Sequence, residues 1–218
     1  NVFDVLTAVQ RPNGYDDEVT LAEMLKASGK NYTTAMFGKG CSTMGRFDEA
    51  GYDVTDEVPG EPGGNGNGHG SYWDVKKKTP FPKNNPKRMH SLSKDSVDFV
   101  NQYAGKQPFF LMVSHYAVHI PHMATREAFL RNKQRWIAEG RDVEQIDNEN
   151  SSVYRDIVYA AMTEELDMNV GALIDALEEK GALANTYIIF TSDNGGGHSE
   201  RRKVEGQNRR FNGPLQEG

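Results

Sequence analysis

The chain has 218 residues, which fits one large domain or at most two small ones with interior enough for a real core. A single cysteine excludes an internal disulfide scaffold, and 25 basic against 31 acidic side chains give a formal net charge of −6, which argues against a general nucleic-acid or anionic-membrane binder. No stretch nears the roughly 18 consecutive apolar residues of a membrane span, and no charged-then-apolar signal peptide opens the sequence, although the ends read as cuts.

In chain order, Thr20-Leu21-Ala22-Glu23 is a capping box, and Leu21, Met24 and Leu25 form a short apolar stripe before Gly29, so a helix is predicted there. Tyr32 to Phe37 is β-branched and aromatic and reads as a strand closed by Gly38. Between Gly45 and Pro86 the pattern dissolves into Gly, Pro, Asn and charge, a long loop for a compact domain. Ser93 can cap a helix carrying Val97, Phe99, Val100 and Tyr103 up to Gly105. The unbroken apolar run Phe109 to Val113 suits a strand buried on both faces. A helix is predicted from Thr125 to Ala138, and the strongest one through Val158, Met162, Leu166, Val170, Leu173 and Leu177, ending at Gly181. Thr186 to Thr191 is then predicted as a third buried strand. Helix followed by strand, three times over, gives an α/β domain with a central mixed or mostly parallel sheet flanked by helices.

In such sheets ligands gather outside the carboxyl ends of the strands. There the sequence places Lys39, the histidines His115, His119 and His122, and the pair Asp193 and Asn194. Carboxylate and amide oxygens suit Ca²⁺ or Mg²⁺, while an amine or imidazole can hold an oxyanion. Together they suit hydrolysis of a sulfate or phosphate ester, where charge develops on non-bridging and leaving oxygens.

Several ordered stretches carry a closer likeness. Val19 to Leu25 followed by Ala35-Met36-Phe37-Gly38-Lys39, then Pro108 to Leu111 leading to His119-Ile120-Pro121-His122, then Ile189 to Gly196, and finally Asn212-Gly213-Pro214-Leu215, together resemble the sulfatase family of the alkaline-phosphatase superfamily. The resemblance implies an alkaline-phosphatase-like fold, here incomplete, with residues 1–218 forming part of one catalytic domain and the loop at about 45–86 without counterpart. It implies that Lys39 and His119 contact the sulfate or the nucleophile and that Asp193 and Asn194 bind calcium, with magnesium as the alternative. It further implies a formylglycine nucleophile outside this chain, a sulfated small molecule or carbohydrate as substrate, and a periplasmic, extracellular or lysosomal location. Cys41, His115, His122 and His198 fall in supporting positions around this set. Cys41 stands where the family has a histidine, and a thiol replaces an imidazole in proton transfer only with a lowered pKa. Cys41 is expected to be neither formylglycine nor disulfide-bonded, and the 218 residues alone are expected not to hydrolyse a sulfate ester.

Two rival readings stay open: a phosphate or phosphonate ester hydrolase of the same superfamily, and a non-catalytic binding relative. The basic islands from Lys76 to Arg88 and from Arg201 to Arg210 read as solvated faces or as steering for an anionic substrate.

Overall fold

The computed structural model describes residues 19–40, 46–56, 85–119 and 121–193, and the backbone of two short strands near the carboxyl terminus. The chain divides into two compact units, Asn13–Asn185 and a second comprising Asn1–Pro12 with Thr186–Gly218.

The first unit holds the described α-helices and a three-stranded sheet. Helix α1 (Leu21–Ala27) starts at the capping box: Thr20 Oγ1 accepts from the Glu23 N–H at 3.1 Å, and Glu23 Oε2 accepts from the Thr20 N–H at 2.8 Å. Its apolar stripe is not its buried side. Leu21 and Met24 are exposed and Ala22 is buried, because a hydroxyl bond from Thr20 to the Ala50 carbonyl (2.7 Å) turns the helix toward Met36, Phe47, Ala50 and Tyr52.

Strand β1 (Thr33–Gly38) lies at the centre of the sheet, with β2 (Val54–Thr55) on one side and β3 (Phe109–Ser114) on the other, all parallel. Its β-branched and aromatic run is buried from Thr34 onward, as suits a central parallel strand. Strand β2 arises inside the stretch that the sequence reads as loop. Asp53 explains it: its carboxylate accepts from the Thr34 N–H (2.9 Å) and hydroxyl (3.0 Å) and pairs with Lys26 at 2.6 Å, which pins the chain beside β1. Strand β3 is half-buried, with Met112 exposed, rather than closed on both faces.

Helix α2 (Met89–Tyr103) sets Leu92 and Phe99 against Ala35 and Phe37 of β1, and Val100 against Ala176 and Leu177 of α5 (Ser152–Glu179), so it is layered between sheet and helix. It begins four residues before Ser93, because Asn85 Oδ1 accepts from the N–H groups of His90 (2.8 Å) and Ser91 (3.2 Å) and supplies the cap. Helices α3 (Arg126–Ala138) and α4 (Val143–Asp147) pack on α5 around Phe129, Ile146, Tyr154 and Met162. Among the described residues no helix is long and apolar enough to cross a membrane.

In the second unit two strands, β4 (Lys203–Val204) and β5 (Gln207–Asn208), pair antiparallel. The expected buried strand at 186–191 is not formed: Tyr187, Ile188, Ile189 and Phe190 are 100, 50, 86 and 75% exposed. An apolar run becomes a strand only when a neighbour accepts its backbone hydrogen bonds, and no described strand pairs with this one.

Candidate active site

Parallel pairing of β1 with β3 aligns Gly38 with Ser114, so both strands deliver their following loops to one edge of the sheet. Lys39 leaves β1 there, its N–H donating to the Ser114 carbonyl at 2.7 Å. The loop after β3 carries His115, the buried Tyr116 and the exposed His119, whose N–H donates to the Tyr116 carbonyl at 3.0 Å. The two glycines flanking Lys39 make this approach feasible. A Cβ on Gly38 would lie 2.1 Å from the Ser114 carbonyl oxygen, at a φ of +98°, and one on Gly40 would lie 2.4 Å from the Phe47 ring.

The same edge is braced from the far side. Asp56, just after β2, accepts from the Gly38 N–H with both oxygens (3.1 Å each) and from the Arg88 guanidinium at 2.6 Å. Burial pushes the Asp56 carboxyl above the ordinary carboxylate value, against the pull of Arg88. Arg88 also donates to the Tyr116 hydroxyl, whose pKa burial raises to about 12. Lys87, beside it, is fully buried, and its ammonium has no hydrogen-bond partner. Burial first, and then the Lys39 charge, lower its pKa from 10.5 to about 8. The stretch from Lys76 to Arg88 reads in the sequence as a solvated face or as steering for an anionic substrate, but Lys87 itself is buried, since the Arg88 bond to Asp56 draws the Pro86–Arg88 turn inward.

A cleft of about 360 Å³ opens beside this brace, lined by Phe37, Val54, Asp56, Arg88, Asp95 and Asp98. Three carboxylates against one guanidinium make it a poor seat for an anion.

His115 is half-buried, with Nδ1 buried and unpartnered, and desolvation lowers its pKa from 6.5 to about 4. A neutral imidazole of this kind is a poor proton carrier near pH 7. His122 sets its ring edge-on to Tyr159 at 5.1 Å, a packing contact. Asp193 is exposed and, with 186–191 not a strand, does not stand at a strand end. Cys41, Asn194 and His198 lie outside the described residues. Among the described residues no three His, Cys, Asp or Glu side chains gather as a metal site requires. Two oxygen donors from Asp193 and Asn194 would fall short of the roughly six to eight that calcium takes, so the described residues do not make a calcium site by themselves. Sequence reasoning missed Asp56, Arg88, Tyr116 and Lys87, and the signal for them is the tertiary bond from 88 to 56, which no local pattern encodes.

The chain is similar in sequence and fold to known proteins. An uncharacterised sulfatase of Schizosaccharomyces pombe is 60% identical over 38 residues, 17% of this chain and 7% of its own length. Human arylsulfatase D is 30% identical over 127 residues, covering 58% of this chain and 17% of its own length. Mouse N-acetylgalactosamine-6-sulfatase is 32% identical over 104 residues, 47% of this chain and 16% of its own length. The chain therefore spans less than a fifth of the length of these curated relatives. A solved structure described as Ps i-CgsB in complex with k-i-k-neocarrahexaose shares the fold, with a TM-score of 0.50 and 21% identity over 76% of this chain and 38% of that one. The sulfatase family's sequence profile matches residues 2–217, nearly the whole chain, and the protein belongs to the sulfatase family.

Proposed function

We propose that the protein hydrolyses the sulfate monoester of a carbohydrate, with Lys39 and His119 contacting the sulfate group. The observation that carries this reading is the Gly38 to Ser114 register, which delivers the loops of both residues to adjacent strand ends in a chain of the sulfatase family. Negative charge builds on the sulfate oxygens as the ester bond breaks, and a fixed ammonium and an imidazole N–H stabilise that charge more in the transition state than in the ground state. A carbohydrate is favoured because the solved structure sharing this fold was determined with a neocarrahexaose and a matched relative is an N-acetylgalactosamine-6-sulfatase. Asp193 and Asn194 would contribute two oxygens to a calcium or magnesium ion, an assignment on which no step above depends. The nucleophile, a formylglycine, would come from outside these 218 residues, with Cys41 an ordinary thiol.

Sulfate release by the whole protein, from an aryl sulfate and from a sulfated oligosaccharide, tests the reading. Lys39→Ala should lower kcat/KM by about 100-fold or more, and the 218-residue chain alone should release none. Faster turnover of the matching phosphate monoester would transfer the protein to the phosphatase reading, and no turnover of either would favour a binding relative.

A further inference from the structure

The side chains of Asp56 and Arg88 are 4% and 17% exposed and meet at 2.6 Å, an ion pair between the end of β2 and the turn that leads into α2. The desolvation cost of such a pair is offset only when its other donors and acceptors are satisfied too. Here those other partners sit on two loops. Asp56 takes the Gly38 N–H with both oxygens (3.1 Å each), directly before Lys39, while Arg88 donates to the hydroxyl of Tyr116, in the loop that carries His119. Tyr116 is buried, and its carbonyl accepts the His119 N–H at 3.0 Å.

Arg88 works from a turn that is fixed against its own conformational preference. Asn85, Lys87 and Arg88 have φ of 49°, 53° and 54°, values that side chains with a Cβ resist and that persist only where the surroundings over-determine them. Here they do. The Asn85 amide donates to Ser91 Oγ at 2.8 Å, Ser91 Oγ donates to the Arg88 carbonyl at 3.0 Å, and Asn85 Oδ1 accepts from the His90 and Ser91 N–H groups. From that fixed footing a guanidinium reaches two acceptors at once, which the single point charge of an ammonium does not.

We propose that Arg88 is a positioning residue, which through Asp56 and Tyr116 holds the Lys39 loop and the His119 loop in one fixed relation. Its bearing on sulfate-ester hydrolysis rests on the functional reading above, since Lys39 and His119 act on one sulfate group only while their loops keep that relation.

Turnover by the whole protein and hydrogen exchange of its backbone amides test this together. Arg88→Ala should lower kcat about tenfold or more with KM within about twofold, because misplaced groups stabilise the transition state less while substrate is still held. Guanidinium chloride at a non-denaturing concentration, against sodium chloride as control, should restore part of the loss, because the cleft beside the brace is lined by Arg88 and Asp56 and gives the ion access. The same salt should restore nothing to Lys39→Ala. Tyr116→Phe removes one hydroxyl and should cost a smaller part of kcat, with no further loss when combined with R88A. Arg88→Lys should keep a thermal midpoint near that of wild type and a kcat below it. In R88A, exchange should quicken about tenfold or more in peptides covering Gly38 and Lys39 and in those covering Tyr116 to His119. Wild-type kcat in a folded R88A, additive losses in the double variant, or unchanged exchange in both loops would overturn the proposal. If R88A does not fold, lower kcat in R88K and Y116F at an unchanged midpoint supports it, and wild-type kcat in both overturns it. No ester turnover by wild type would end the functional reading, and the exchange rates alone would then decide whether Arg88 couples the two loops.

Discussion

His115 follows β3 directly, and because its Nδ1 is buried without a partner the folded protein holds the ring neutral down to about pH 4. In the unfolded chain the same ring takes up its proton near 6.5. Between those values the unfolded state binds a proton that the native state does not, so stability is full above about 6.5 and falls as pH drops toward 4. Allowing for the ring's partial exposure, roughly 2 kcal/mol should be lost across that window, and His115→Leu should remove this component. Urea titrations of both chains at the two ends of the window decide it, and an identical acid loss in the variant would refute the assignment. Single residues also mark what the sequence can reveal. Lys39 and His119 stand out because each follows an apolar run and belongs to an ordered set of stretches. Lys87 sits among other cations and prolines, and its burial is decided by the tether from Arg88 to Asp56, 32 residues away.

At the level of elements, the sheet edge depends on two backbone approaches that side chains would block. Gly38→Ala should be the more damaging, since its Cβ would meet main-chain oxygen in a left-handed conformation, whereas Gly40→Ala meets a ring that can shift slightly. A loss of about 3 kcal/mol or more is expected for the first and less for the second, measurable as a drop in thermal midpoint. Equal losses would show that the Phe47 ring is as rigid as the β3 backbone. Helix α1 is legible because a capping box is a local code, and α5 because its apolar residues from Val158 to Leu177 repeat at three and four positions, although its first turns, capped by Ser151, lie upstream of that stripe. The start of α2 is not, because its cap lies upstream at Asn85, beyond a turn of positive φ that no propensity favours. Strand β2 is two residues long and owes its existence to Asp53 bonding Thr34, so composition alone reads it as loop.

Taken whole, the α/β class and the parallel order follow from the alternation of periodic and apolar segments, and membership of the sulfatase family follows from the profile match over 2–217. The exposed run Tyr187-Ile188-Ile189-Phe190 has a further consequence, for colloidal behaviour. These four residues are contiguous, β-prone and free of charge and proline, the composition from which intermolecular cross-β contacts nucleate. A net charge of −6 spread over 218 residues does little against a short-range attraction confined to four side chains. The isolated chain should therefore scatter light increasingly with concentration and with salt, and Ile189→Lys should suppress that scattering while leaving the far-ultraviolet circular dichroism unchanged. Equal scattering by both chains would place the sticky surface elsewhere, whereas a monodisperse variant would make these four residues the limit on how concentrated the protein can be kept.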